Sequence, residues 1–429
     1  MRCDVLADGT ELLLGQINDT NSSWIGDRLA LHGIGSLMQV KVGDNVGRIE
    51  AALRSLLAGA DAVIVTGGLG PTHDDVTREA IAAVMGGVEL VPDAVVADRI
   101  RELFAGRGRR MPENNLRQAL VPVGATVIAQ TRGTAPGLIC PVGDKVIYAV
   151  PGVPHEMKDM LERAILPDLV ARSGDTAVIA SRVLKTWGES ESGLNERLDE
   201  IIARLDHLGN PTMAFLARGW EGLEVRLTTR QDTDVAATVV LEEWEAEVRG
   251  VLGPLVFGVG QDSMESVVLD LLRERGLTLA LAESLTGGLV ASRLTAIPGA
   301  SDVVRGGVVS YASEVKFDLL GVSPGPVVNE PAAIEMAEGV QRLLGADVGL
   351  GLTGVAGPAE QDDVPVGTVC IAVALPTGSH AVTIHLGTLR EQVRQFAVIN
   401  SLDLLRRRLE LGAPPALRSR QDLNLRTAD

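Results

Sequence analysis

Aromatic residues are scarce in this chain. Phe, Trp and Tyr make up 3% of its 429 residues, so its cores must be built from Val, Leu, Ile and Ala. Cysteine is scarcer still. Cys3, Cys140 and Cys370 are odd in number, far apart and without metal-ligand spacing, which points away from a disulfide framework and towards reduced, buried thiols of a cytoplasmic protein. No apolar run is long enough to span a bilayer, so no membrane partner is expected. The start, Met1-Arg2-Cys3-Asp4-Val5-Leu6, carries an early acid and lacks the apolar core of a signal peptide. Positive charge is in deficit. A formal net charge of −17 argues against a direct nucleic-acid surface, because binding a phosphate backbone needs a basic field. It leaves room for small phosphorylated ligands held in a local pocket.

What is abundant is apolar sequence (46%) and glycine, with 48 residues. The length suggests two or three domains, and the glycines suit an α/β protein with many strand-to-helix turns. The strongest such turn is Gly67-Gly68-Leu69-Gly70-Pro71-Thr72-His73-Asp74-Asp75. It follows a β-branched run, Ala62–Thr66, that reads as a buried strand, and precedes a helix over 76–84 with Asp75 as its expected N-cap. Glycines let a ligand approach the backbone, and N–H groups at a helix start attract phosphate. Asp74 and Asp75 would repel a bare phosphate; they make sense with a divalent cation between carboxylate and phosphate oxygens. The plainer reading is a tight turn with a solvated cap.

Upstream, Gly9–Asn21 crowds Thr10, Glu11, Asn18, Asp19 and Asn21 into one turn after the first strand, with Ser22 or Ser23 expected to cap a helix to Leu31. A strand over 35–42 and a helix over 46–57 complete a βαβαβ order, which implies a right-handed parallel sheet. Its loops carry Asp19, Asp44 and Asp75 to one rim, placed for a cation. His155, after the Pro151-Gly152 turn, is read as an ordinary surface histidine. Around 173–175 the pattern changes to short strands (178–183, 223–228) alternating with helices over 189–205 and 235–252, a small α+β connector or dimerisation unit. A second α/β pattern comes next. The strand 277–281 runs into Glu283-Ser284-Leu285-Thr286-Gly287-Gly288 and a helix, so that Ser284 sits where free amides at a helix start can steady an oxyanion. Tyr311 and Lys316 flank the next strand-to-helix turn, Thr353-Gly354 end a third strand, and Arg390 and Arg394 stand one helical turn apart, as a phosphate clamp. A serine needs a base. A lysine serves if burial lowers its pKa, which gives amide hydrolysis through an acyl-enzyme on Ser284, with Lys316 as base and Tyr311 as relay. The alternative is that Ser284 and Thr286 only bond a turn and that Lys316 is a solvated helix residue.

These motifs in this order resemble the competence/damage-inducible protein CinA family over nearly the whole chain. GTELLLGQINDTN, the VGD at Val42–Asp44, GGLGPTHDD, NNLRQA, GTAPG and PGVPHEM are similar to the family's molybdopterin-binding-like domain. AESLTGG, the PGAS at Pro298–Ser301, GGVVSYASEVK, TGVAGP and PVGTV are similar to its nicotinamide-nucleotide amidohydrolase domain, and the stretch between fits a KH-like connector. The resemblance implies two mostly parallel α/β domains over 1–172 and 256–414, a KH-like α+β connector over 173–255 and a polar tail over 415–429. It implies metal-dependent hydrolysis of ADP-ribose to AMP and ribose 5-phosphate, with Mg²⁺ or another divalent ion and with K⁺ as a second cation. It also implies deamidation of nicotinamide mononucleotide (NMN), and a homodimer. The implied residues are catalytic Ser284, Lys316 and Tyr311, and metal-binding Asp19, Asp44, Asp74 and Asp75. Substrate contacts would come from Thr10, Glu11, Asn18, Gly67, Gly68, Gly70, Thr72, Thr286, Gly287, Thr353, Gly354 and Arg390. The sequence departs from the family pattern at several points. Asp8 replaces a small or apolar residue, Gln130 stands where Asn is frequent, and Leu285 follows the nucleophile where a small residue or Cys is usual. Two readings rival the enzyme: a molybdopterin or nucleotide binder without pyrophosphatase activity, and a scaffold in DNA uptake or repair.

Overall fold

In the computed structural model the described residues are 1–106, 110–174 and 177–411. They form two compact units, Met1–Ala180 with Arg230–Ala237, and Ser181–Thr229 with Thr238 onward. The tail over 415–429 lies outside the described residues.

The first unit is built on a six-stranded sheet. Its strands are β1 (Cys3–Asp8), β2 (Gln39–Val42), β3 (Ala62–Thr66), β4 (Thr126–Ile128), β5 (Gly137–Val142) and β6 (Lys145–Val150), in the spatial order β2-β1-β3-β6-β5-β4. β1 runs parallel to β2 and β3, and β3 parallel to β6; β5 is antiparallel to both its neighbours. Period-two alternation decides the two faces. Val5, Ile64 and Tyr148 pack with Ile25 and Leu29 of α1 (Thr20–Leu31) and Met157 and Met160 of α4 (Pro154–Met160). Leu6, Val63 and Val65 point the other way, onto Ile49 and Leu53 of α2 (Val46–Gly59) and Ile81 of α3 (Thr77–Val84). With helices on both faces, the sheet's inner strands are buried and mostly apolar, with Asp4 and Asp8 of β1 as buried exceptions. The order β2-β1-β3 means that the chain leaves β1 first to one side and then to the other. The crevice beyond the carboxyl ends of β1 and β3 is therefore the topological switch point, where open α/β sheets take ligands.

The second unit holds two sheets, the first of which has the outer ends of two strands and of one helix grouped with the first unit. β7 (Val178–Thr186), β8 (Thr212–Ala217), β9 (Leu223–Gln231) and β10 (Val256–Val259) order as β8-β9-β7-β10, with α5 (Glu191–Arg197), α6 (Asp199–Leu208) and α7 (Asp234–Leu252) among them. The helix expected over 189–205 is two, broken at Leu198, and β8 was not anticipated. The five-stranded sheet comprises β11 (Leu279–Glu283), β12 (Val304–Val309), β13 (Val348–Gly354), β14 (Thr368–Leu375) and β15 (Gly378–His385), ordered β12-β11-β13-β14-β15. β11 is parallel to β12 and β13, and β14 is antiparallel to both neighbours. Leu279, Leu281, Leu350 and Leu352 pack on α8 (Met264–Glu274), α9 (Leu289–Thr295) and α12 (Arg390–Leu411). Ala280 and Ala282 are small enough to let α11 (Glu330–Leu344) and Leu320 of α10 (Ser313–Leu320) cover the other face. The switch point is again beside the first strand, between β11 and β13.

α12 also binds the four-stranded part of its own unit. Arg406, fully buried, donates to Asp403 Oδ1 at 3.0 and 2.7 Å and to Pro254 O at 2.8 Å. Arg407 pairs with Asp403 Oδ2 at 2.8 Å, and Phe396 stacks on Trp187 with ring centroids 6.0 Å apart. All three cysteines are free and buried. Among the described residues no helix is long and apolar enough to cross a membrane.

Candidate functional site

At the first switch point lies a cavity of about 140 Å³. Asp8 and Thr66 reach it from the ends of β1 and β3, Glu11, Asn18 and Asp19 from the segment between β1 and α1, Asn21 from the first turn of α1, and Gly152 from the turn after β6. Of the residues read from sequence, Glu11, Asn18 and Asp19 thus meet in one place. Asp8 was not among them. It is 4% exposed, and burial, reinforced by Asp44, Asp75 and Glu11 against the opposing hydrogen bond from Thr77, pushes its carboxyl up to about 6. The signal for it was its departure from the family pattern.

The glycine-rich turn beside the cavity is braced from within. Asp75 is not the cap of α3, which has no side-chain cap. Its carboxylate instead accepts from Gly70 N (2.7 Å), Thr72 N (2.8 Å) and Thr72 Oγ1 (2.5 Å), because the backbone of the turn presents those groups nearer than the helix start does. Arg78, almost fully buried and with its pKa lowered by burial to about 10, donates to Leu69 O, and Arg117 donates to Thr72 O (2.6 Å) and Glu79 (2.8 Å). Gly67 and Gly68 are obligatory. Both have positive φ, and a Cβ would lie 2.2 Å from Asp8 O at Gly67 and 2.3 Å from Asp8 Oδ2 at Gly68. Gly70 is as tight: a Cβ there would meet Asp75 Oδ2 at 2.4 Å.

The four aspartates read as a metal set do not converge. Asp19, not Ser22 or Ser23, caps α1 by accepting from Ser22 N (2.9 Å), and its other oxygen lies 3.9 Å from Lys41 Nζ. Asp44 accepts from Thr10 N (2.9 Å), and Asp74 is an exposed carboxyl held below the ordinary range by its bond to Thr72. Among the described residues no group of three or more His, Cys, Asp or Glu side chains could hold a metal ion. The residues therefore do not fit an all-protein metal cage: Asp19 and Asp75 serve amides of their own turns, and Asp44 serves that of Thr10 in another loop.

In the second unit Ser284 follows β11 at the second switch point. Ser310 N bonds Glu283 O (2.8 Å), which sets the end of β12 beside Ser284. Lys316 is 1% exposed, so it is not a solvated helix residue. Its Nζ donates to Ser310 O (2.7 Å) and Tyr311 O (3.5 Å), and burial lowers its pKa. Tyr311 is 60% exposed and its hydroxyl accepts from Arg390 Nη2 (2.7 Å). Arg390 also bonds Gly357 O (2.6 Å), which ties α12 to the loop after β13, and Arg394 Nη2 bonds Thr286 O (2.9 Å). The two arginines thus hold the site's loops and do not form a free clamp.

Two further expectations change. The start of α9 is not open to an oxyanion: the buried Glu283 carboxylate accepts from Gly288 N, Val290 N and Ala291 N at 2.9–3.0 Å, an acid completing a helix N-terminus. Thr353 gives its hydroxyl to Val327 O (2.8 Å), and Gly354 is small because a Cβ would meet Thr368 O at 2.5 Å, so both shape the sheet end. Thr286 differs. It is fully buried, and its Oγ1 has no partner among the described residues. Gly287, at φ 64°, turns the chain behind it.

Fold and sites together define an α/β protein with two switch-point crevices, one of molybdopterin-binding-like architecture and one with Ser284 at its first strand's end and the buried Lys316 bonded to the end of the neighbouring strand. Residues 4–171 match the model of a probable molybdopterin binding domain, 181–258 that of the damage-inducible protein CinA KH domain, and 261–409 that of the CinA C-terminal domain. The chain is 46% identical over 419 residues to a CinA-like protein of Frankia casuarinae (95% of this chain, 96% of the relative). It is 42% identical over 426 residues to a putative competence-damage inducible protein of Symbiobacterium thermophilum (95% and 99%). A solved structure of the protein CinA, of unknown function, from Thermoplasma acidophilum is 34% identical and covers 39% of this chain and 97% of that one, with a TM-score of 0.36. The chain belongs to the CinA family.

Proposed function

We propose that the chain is a bifunctional hydrolase of pyridine-nucleotide recycling. Its second unit would deamidate NMN to nicotinate mononucleotide and ammonia. The observation that carries this is the placement of Lys316. A neutral amine has two hydrogens and one lone pair. The carbonyls of Ser310 and Tyr311 take the hydrogens, and burial disfavours a third proton. The lone pair remains to accept the Ser284 proton as Oγ bonds the carboxamide carbon. The same proton then passes to the departing nitrogen, which leaves as ammonia, and water cleaves the acyl-enzyme to release the acid and restore Ser284. Thr286 Oγ1 has a hydrogen to give to the developing oxyanion.

The first unit would hydrolyse ADP-ribose to AMP and ribose 5-phosphate at the switch-point cavity. Any divalent cation, or K⁺ beside it, is brought in on the phosphates, since Mg²⁺ ordinarily uses one or two carboxylates plus phosphate oxygens, and no step here runs through it. The chain would act as a homodimer; a monomer mass by light scattering would count against that. The deciding experiment is a paired assay with ADP-ribose plus Mg²⁺ and with NMN, reading AMP and ammonia. Ammonia lost in Ser284→Ala and AMP lost in Asp75→Ala, with both variants folded, support the two activities. Absence of both products in the wild type favours a nucleotide-binding scaffold.

A further inference from the structure

The cavity of the first unit contains two oxygen atoms that the protein leaves unsatisfied. Thr77 Oγ1 holds Asp8 Oδ2 at 2.7 Å, which leaves Oδ1; that atom is buried and has no hydrogen-bond partner among the described residues. Asn21 gives its amide nitrogen to Thr66 Oγ1 (3.0 Å) and Gly152 O (2.8 Å). Those two bonds fix which way the amide faces, and its Oδ1 is likewise buried without a partner. Both residues line the same space of about 140 Å³.

An orphaned buried acceptor is costly, and the group that satisfies it must be a donor. Here there are two acceptors, each locked by a bond on its other atom, and neither belongs to a cluster able to hold a metal ion. A phosphate has only acceptors and a carboxylate floor to repel it, so it does not belong at this spot. An adenine edge sets ring-nitrogen acceptors beside its one amine, whereas a pentose offers adjacent hydroxyls that can each donate, and a carboxylate at a strand's carboxyl end is a recurrent receiver of ribose hydroxyls.

We propose that Asp8 and Asn21 form a diol-recognition pair: their free Oδ1 atoms receive the hydrogens of vicinal hydroxyls on the pentose of a nucleotide or sugar-phosphate substrate. The pair deepens the ADP-ribose reading and rests on it. It makes Asp8 a specificity residue of this chain that selects ribose over deoxyribose.

The test is equilibrium binding by titration calorimetry, with two matched pairs of probes on the full chain. These are ribose 5-phosphate against 2-deoxyribose 5-phosphate, and AMP against 2′-deoxy-AMP. The wild type should prefer the ribose member of one pair by about tenfold or more, the worth of a hydrogen-bonded hydroxyl. Asp8→Ala should bind both members of that pair equally, with the deoxy compound no weaker than in the wild type. Asn21→Ala supplies the same test if Asp8→Ala does not fold. Equal binding within both pairs by the wild type overturns the proposal, as does a ribose preference that survives in a folded variant. AMP production from ADP-ribose is followed in parallel. Turnover without diol preference sinks the pair and leaves the hydrolase reading standing; neither turnover nor binding of any probe sinks both.

Discussion

At Lys316 the count of hydrogens on one nitrogen decides the chemistry. The protonated amine has a third hydrogen that the Ser310 and Tyr311 carbonyls do not take, and the neutral amine has a lone pair instead. Because burial moves the pKa down from 10.5, amidase activity should rise with pH along a limb whose midpoint lies below that value, and kcat/KM against pH reads it directly. Lys316→Met, close in volume, should keep the fold and lose about 10²–10⁴-fold in rate; a folded variant with unchanged rate would remove Lys316 from the mechanism. Asp8 behaves in the opposite sense. Its folded carboxyl titrates at about 6 against 3.8, so the folded state holds a proton that the unfolded state has lost. Stability therefore falls as pH rises from about 4 to about 6, by up to roughly 3 kcal/mol. Asp8→Asn should raise the melting temperature at pH 7.5, and the gain should fade below pH 4; a pH-independent difference would refute the assignment.

Among elements, the turns after β1, β3 and β11 carry the proposed chemistry, and their places were legible in the sequence. Short β-branched or Leu-Ala runs ahead of glycine-rich turns and helical periodicity placed one strand end at Thr66, where it lies, and the other at Leu281, two residues short of Glu283, close enough to locate both crevices. What was not legible is which acid serves which amide. Asp75 and Glu283 both precede helices. In three dimensions Asp75 closes its own loop, whereas Glu283, five residues upstream, reaches the start of α9. Sequence spacing ranks acids by distance along the chain, and the fold ranks them by distance through space. The same reason hides the bracing role of Arg78 and Arg117: Arg78 bonds carbonyl oxygens, which every residue has, and Arg117 adds Glu79, 38 residues away, to the carbonyl of Thr72. Asp75→Ala removes an acceptor from three donors of the turn and should cost about 1–3 kcal/mol. Hydrogen exchange should quicken at Gly70 and Thr72 more than in β3; uniform exchange would show that the turn is held elsewhere.

For the whole molecule, the same plan occurs in each half: a first strand flanked by the next two, with the proposed site in the crevice beside it. The stretch between the halves is not independent of the second one. Asp403 is enclosed with two guanidinium groups, one of which reaches Pro254, and Phe396 lies on Trp187. Asp403→Ala would leave Arg407 buried without its counter-charge and Arg406 with Glu410 alone, and should destabilise this unit by about 3–5 kcal/mol, seen as a lower denaturant midpoint; a shift under 1 kcal/mol would mean that the cluster is solvated. The wider consequence concerns cooperativity. Melting the four-stranded sheet alone would strip α12 of its aromatic cover and pull a carbonyl from a fully buried cation. Although two family models divide this region, Ser181–Thr229 should show no heat-absorption peak of its own, and its thermal history should be that of the serine–lysine domain.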